Sequence, residues 1–208
     1  MKTFSKNQLE RYPFYLKYFK ELQKEGVETI SSPKIAKVLG YSEEQIRKDL
    51  QAISNEPGRP KKGRSVEKLI DTLETFLGYR DTTTAVIIGC GHLGQALLNY
   101  PNFQEMGLAV VGGFDTNPDL IGKEINGKSI HAMSELGEVA LAQKVKVAII
   151  TVPAQYAQEA IDEAVQAGIH GIWNFAPTHV TVPYHIVIEN FNFSSSLAVL
   201  IHRLYDGR

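Results

Sequence analysis

The sequence predicts an α/β protein in two parts, a small helical domain followed by a doubly wound parallel sheet. Three observations predict it. Residues 84–88 (TAVII) form a short, continuously apolar, β-branched run, the pattern of a strand buried on both faces. Beyond it, strand-like and helical stretches alternate along the chain, which calls for parallel β–α units. Charge is also unevenly divided along the chain. Residues 1–64 carry 14 basic and 8 acidic groups, a net of +6, whereas residues 65–208 carry 8 and 15, a net of −7. That asymmetry, hidden in an overall charge of −1, is expected of a nucleic-acid-facing module joined to an acidic one. No apolar run approaches the ~18 residues of a membrane span. The N-terminal residues lack the basic-then-apolar order of a signal peptide, and a single cysteine fits a reducing cytoplasm.

In the first part, Ser5 with Gln8 reads as a capping box opening a helix lined by Leu9, Tyr12, Tyr15, Leu16, Tyr18, Phe19 and Leu22. Pro13 inside it predicts a restart or bend. Residues 27–30 suit a very short strand. Ser32 is placed to cap a second helix with Pro33 at its first position, its apolar side formed by Ile35, Ala36, Val38 and Leu39. After the turn at Gly40, Ser42 with Gln45 forms another capping box. The helix it opens turns Ile46, Leu50 and Ile53 inward, and Arg47, Lys48 and Gln51 outward. Two short helices joined by a glycine-containing turn, the second with an outward basic face, form a helix-turn-helix. Residues 57–64 (PGRPKKGR) follow. Arg59, Lys61, Lys62 and Arg64 occupy the place of a wing, where cations contact phosphates rather than read bases. Residues 65–77 form a further amphipathic helix, and the domain boundary falls near residue 80.

The second part opens on Gly89-Cys90-Gly91-His92-Leu93-Gly94, a G-x-G-x-x-G motif between the strand 84–88 and a helix. A second strand, 108–114, ends in Asp115, 21 residues after Gly94. Strand, glycines, helix, second strand and acid together form the Rossmann dinucleotide fingerprint. The glycines give a tight turn, close approach to the pyrophosphate and close helix–strand packing, while the acid accepts from a ribose 2′-OH and repels a 2′-phosphate. The expected ligand is therefore NAD rather than NADP. Further strands at 145–152, 169–175 and 186–191 alternate with helices at 133–143, 154–167 and 194–205. Because ligands lie at the carboxyl ends of such strands, Val152, Pro153, Asn174, Phe175, Ala176 and Pro177 are candidate walls of the crevice.

Nothing in the sequence supplies catalysis. No segment remains for a substrate domain, and none of the six histidines falls at metal-ligand spacing. Cys90 stands where a helix N-terminus can favour a thiolate, although a small residue in the phosphate turn is the commoner reason for it. A DNA-reading module joined to a cofactor module without catalytic apparatus is the composition of a sensor. An NAD-dependent oxidoreductase and a regulator of a different nucleotide are the competing readings.

The motifs Arg11-Tyr12-Pro13, Gln45-Ile46-Arg47-Lys48-Asp49-Leu50, Gly89 to Gly94 with Ala96 to Pro101, Phe114-Asp115, Thr151 to Ala154 and Asn174 to Pro177 resemble, along nearly the whole chain, the Rex family of redox-sensing transcriptional repressors. The resemblance implies a winged helix-turn-helix domain (1–80), a Rossmann NAD(H) domain (81–192) and a C-terminal helix (193–208) exchanged between the subunits of a homodimer. It also implies binding to a palindromic double-stranded operator, release by NADH, and permission by NAD+. Tyr100 and the partner subunit's copy of Phe193 would lie near the nicotinamide, and Arg11 would belong to an inter-domain switch. Two departures stand out. Asn192 replaces the family's usual Asp, so a pair with Arg11 would be a neutral-acceptor hydrogen bond. Residues 51–66 carry Pro57, Pro60 and a denser basic cluster than the family pattern.

Overall fold

The computed structural model describes residues 3–54 and 63–206. The chain divides into two compact units, Met1–Asp81 and Thr82–Arg208.

The first unit runs α1 (Lys6–Lys24), β1 (Thr29–Ile30), α2 (Ser32–Leu39), α3 (Glu43–Ile53), β2 (Arg64–Ser65) and α4 (Val66–Leu77). Helices α1, α3 and α4 pack Tyr12, Phe19, Ile46, Leu50 and Leu73 into one core. Antiparallel pairing of β1 with β2 makes a small two-stranded sheet. Pro13 does not interrupt α1. It lies on the exposed side, as does Leu9, whose carbonyl loses its amide donor to water rather than to the core. The cap of α2 is Ser31 rather than Ser32, and Val38 points outward instead of into the core. The two capping boxes are half formed. Ser5 and Ser42 accept from the amides of Gln8 and Gln45, but the glutamine side chains donate elsewhere, to Tyr12 and Asp49.

The second unit contains β3 (Thr83–Ile88), α5 (His92–Leu98), β4 (Leu108–Asp115), β5 (Glu124–Ile125), β6 (Lys128–Ala132), α6 (Leu136–Ala142), β7 (Val147–Ile150), α7 (Ala157–Gln166), β8 (Gly171–Asn174), β9 (Val187–Asn190) and α8 (Phe193–Asp206). The sheet order is β5-β6-β4-β3-β7-β8-β9, parallel except for β5. Ala85 and Ile87 of β3 pack on one face with Leu98 of α5, and Val86 and Ile88 pack on the other with α6 and α7. Both faces are thus covered at the centre, which is why β3 reads as unbroken apolar residues rather than as an alternation.

The hairpin β5–β6 lies in a stretch, residues 124–132, to which the sequence reading assigned no element. Its strands are short and bury little beyond Ile130. Asn126 and Gly127 both take positive φ, 51° and 72°, which suits the tight turn between them. Helix α8 buries no residue, and Leu197, Leu200, Ile201 and Leu204 all face outward. Among the described residues, no helix is long and apolar enough to cross a membrane.

Candidate functional site

Strand order reverses between β3 and β7, and a cavity of about 750 Å³ opens there at the carboxyl ends of the strands. Its size falls within the ~300–1,000 Å³ usual for cofactor sites. Of the expected residues, Gly89, Gly91, Leu93, Asp115, Val152, Pro153, Phe175 and Pro177 line it.

The three glycines serve different ends. A Cβ on Gly89 (φ 94°) would meet Val152 Cγ1 at 2.8 Å, and one on Gly94 would fall on the carbonyl oxygen of Gly89. A Cβ on Gly91 would meet nothing. Packing therefore explains the first and third glycines. The second leaves bare backbone toward the cavity, as close approach of a pyrophosphate requires. The loop is held from three sides. Thr151 Oγ1 donates to Gly89 O (2.6 Å), Gln95 Nε2 donates to Cys90 O (2.8 Å), and Cys90 N donates to Asp115 Oδ2 (2.6 Å). The other Asp115 oxygen accepts from Asn117 N at 2.8 Å. Each carboxylate oxygen keeps a lone pair for a further donor.

Cys90 takes part through its backbone. Its thiol is buried, and burial together with the Asp115 charge pushes it up to about 12. The side chain fills the space beneath Gly113, with Sγ 3.6 Å from Phe114 O, and does not itself line the cavity, which fits the need for a small residue in the turn rather than a reactive thiolate. His92 is exposed at the start of α5 and does not line the cavity. Neither do Asn174 and Ala176. The Asn174 amide, fully buried, donates to Asn190 Oδ1 (2.9 Å) and Ala176 O (3.3 Å) and accepts from Ala176 N (3.0 Å). It therefore shapes the turn that presents Phe175 and Pro177. Tyr100 and Phe193, both exposed, end a continuous run of rings, Tyr100–Phe103–Trp173–Phe175–Phe191–Phe193, with successive centroids 4.7–6.1 Å apart. The sequence reading missed several lining residues, Thr116, Asn117, Leu120, Met133, Tyr156, Glu159 and Glu163. They belong to the loop after β4 and to the segments before α6 and before and along α7, where no motif marks them.

The candidate DNA-facing surface is built on α3. Ser42 caps it, with Oγ 3.2 Å from Gln45 N, and Arg47 and Lys48 are 60% and 70% exposed. Underneath lies Asp49, which the motif contained but the reading assigned no role. It is 1% exposed and accepts from Arg11 Nε (2.7 Å) and Nη2 (2.9 Å), Tyr15 Oη (2.8 Å) and Gln45 Nε2 (2.9 Å). Tyr12 Oη donates to its carbonyl at 3.0 Å. Burial alone would raise the Asp49 pKa, but the hydrogen bonds and charge of Arg11, with Tyr15 and Gln45, hold it below the ordinary value. The same hydrogen bond pushes Arg11 up against its partial burial.

Arg11 thus uses two donors inside its own unit. Asn192 is likewise used locally, its Oδ1 accepting from Ser195 N at 3.1 Å at the start of α8. Arg64 pairs with Ile30 in the β1–β2 sheet, half-buried, and burial lowers its pKa. Arg59, Lys61 and Lys62 lie outside the described residues.

Family models match both parts, "Putative DNA-binding protein N-terminus" over residues 4–51 and "CoA binding domain" over residues 80–178. The chain is 37% identical over 207 residues to the redox-sensing transcriptional repressor Rex of Clostridium botulinum, covering 100% of this chain and 98% of the other. To Rex of Treponema denticola it is 41% identical over 192 residues, covering 92% and 91%. Among solved structures, RSP in complex with beta-NAD+ and operator DNA superposes with a TM-score of 0.93 at 34% identity, covering 100% and 95%. RSP in complex with beta-NADH superposes at 0.88 and 34%, covering 100% and 97%.

Proposed function

The chain belongs to the Rex family of redox-sensing transcriptional repressors, and from that premise we propose a residue-level account of how it senses NADH and NAD+ and leaves its operator when NADH binds. It is a regulator and not an enzyme, so the dinucleotide is its signal. The observation that carries the ligand side is the cavity at the β3–β7 reversal, with bare Gly91 backbone at one wall and Asp115 at another. Gly89 to Gly94 receive the pyrophosphate and Asp115 the adenosine ribose. Pro153, Phe175, Tyr100 and Phe193 surround the nicotinamide, Phe193 coming from the partner subunit. NADH and NAD+ differ in the charge and planarity of that ring alone, so discrimination belongs to this end of the site.

On the DNA side, Arg47 and Lys48, with Ser42 and Gln45, face the major groove, while Arg59, Lys61, Lys62 and Arg64 hold phosphates. The protein works in the cytoplasm as a homodimer on a palindromic operator. The apolar side of α8, uncovered in the single chain, supports that assembly, as do the partly exposed rings of Trp173, Phe175 and Phe191. Arg11 and Asn192 form the switch, a pairing that requires Arg11 to share or leave Asp49. Linkage is reciprocal: whatever factor NADH takes from DNA affinity, DNA takes from NADH affinity.

The test is binding to the chain's own upstream DNA, titrated with NADH and separately with NAD+. Release by NADH alone is expected. Binding unchanged by either would remove the sensor reading.

A further inference from the structure

The outward face of α3 carries as much negative as positive charge. Its exposed ionic groups are Glu43, Glu44, Arg47 and Lys48, and the one remaining charge on the helix, Asp49, is buried against Arg11. The four pair along the helix, Arg47 Nη2 with Glu43 Oε1 at 3.5 Å and Lys48 Nζ with Glu44 Oε1 at 2.7 Å. The hydrogen bond from Lys48 also lowers the Glu44 pKa.

Non-specific attraction to a duplex comes from cations that displace condensed counterions from phosphates. A helix face of zero net charge supplies almost none of it. That attraction must come from other cations of the unit, among them the four of residues 57–64, a stretch that carries no acid. We propose that Glu43 and Glu44 are specificity-determining residues of the DNA interface. They hold Arg47 and Lys48 in intrahelical pairs and present carboxylates to any phosphate that approaches. The helix then engages only where base-edge hydrogen bonds replace the pairs. Exposed pairs at i,i+4 spacing are weak, so bidentate contact with a guanine edge displaces them readily, whereas a lone phosphate gains little and meets repulsion. The proposal rests on α3 being the DNA-reading helix.

The experiment compares the full-length protein with its Glu43→Gln/Glu44→Gln variant on upstream operator duplex and on random duplex of equal length, across a salt series. Glutamine keeps the helix length and leaves the Ser42 cap in place. Affinity for random duplex should rise more than affinity for the operator, narrowing their ratio. The random-duplex salt dependence should steepen by about 1.8, ~0.9 for each freed cation, which makes the loss between about 50 and about 200 mM salt about twelvefold larger. A Glu105→Gln/Glu138→Gln variant makes the same charge change in the other unit and should leave both affinities unchanged. Equal gains on both duplexes, no gain on random DNA, or the same gain from the second variant would overturn the proposal while leaving α3 as the reading helix. A parent protein that does not prefer its operator would overturn both.

Discussion

Among the described residues, each unit buries one charged or amide side chain beneath its candidate site, a carboxylate in the first and a carboxamide in the second. Asp49 lies on the buried face of α3 and gathers donors from α1 and from its own helix. Asn174 sits at the end of β8 and ties that strand to β9 and to its own turn. The charge binds two helices strongly but leaves an unpaired ion when a partner is lost. The amide costs little to bury and fixes one short turn. The first unit should therefore be the more sensitive to substitution and to pH.

Asp49→Ala should have the largest effect. It leaves the Arg11 guanidinium facing buried tyrosines, at a cost of about 3 kcal/mol or more. Denaturant unfolding followed by far-UV signal should show the first unit melting well before the second. Coincident transitions, unchanged from the parent, would break the comparison.

Asn174→Ala should cost about 1–3 kcal/mol by leaving Ala176 N and Asn190 Oδ1 without their partner. It should also weaken dinucleotide binding, because Phe175 and Pro177 lose their support. Calorimetric titration would separate the two effects, and full affinity in a destabilised protein would make Asn174 purely structural.

The pH profile sharpens the contrast further. The folded Asp49 pKa is depressed, so its contribution is present above the ordinary carboxylate range and is lost as pH falls through the lowered value. Tyr12 has the opposite sense. Burial, then the Asp49 charge, pushes it from 10.0 up to about 12, so its contribution is complete below about 10 and is lost as pH rises through about 12. Unfolding followed toward acid should show the first unit failing while the second holds, whereas at high pH both should weaken, since the buried Cys90 thiol of the second unit is also pushed up to about 12.

Gly91→Ala should have the smallest effect on stability, within about 0.5 kcal/mol, since its Cβ meets no protein atom. Its cost should appear in dinucleotide affinity. Gly94→Ala should do the reverse, destabilising the unit by about 1–3 kcal/mol through the clash with Gly89 O.

The parts legible in the sequence were those with local periodicity or fixed spacing. The glycine turn with its strands and acid, the inward and outward faces of α3, and the end of α4 at residue 77 all stand where the pattern puts them. What escaped has no local signature. Arg11 and Asp49 are 38 residues apart, and Asn174 and Asn190 are 16 apart. Nothing near either member names the other. Strand β6 escaped because it is only five residues long, pairs with β4 over three of them and buries one isoleucine. Its one local signal was Asn126-Gly127, a dipeptide that marks hairpins strongly.

The run of rings from Tyr100 to Phe193 includes the chain's single tryptophan, Trp173, beside Phe175 at the cavity wall. Indole emission overlaps the absorption of a reduced nicotinamide and not that of an oxidised one. The protein therefore contains its own optical gauge: ultraviolet excitation of one side chain should light up the reduced ligand by energy transfer and leave the oxidised ligand dark, without any attached dye.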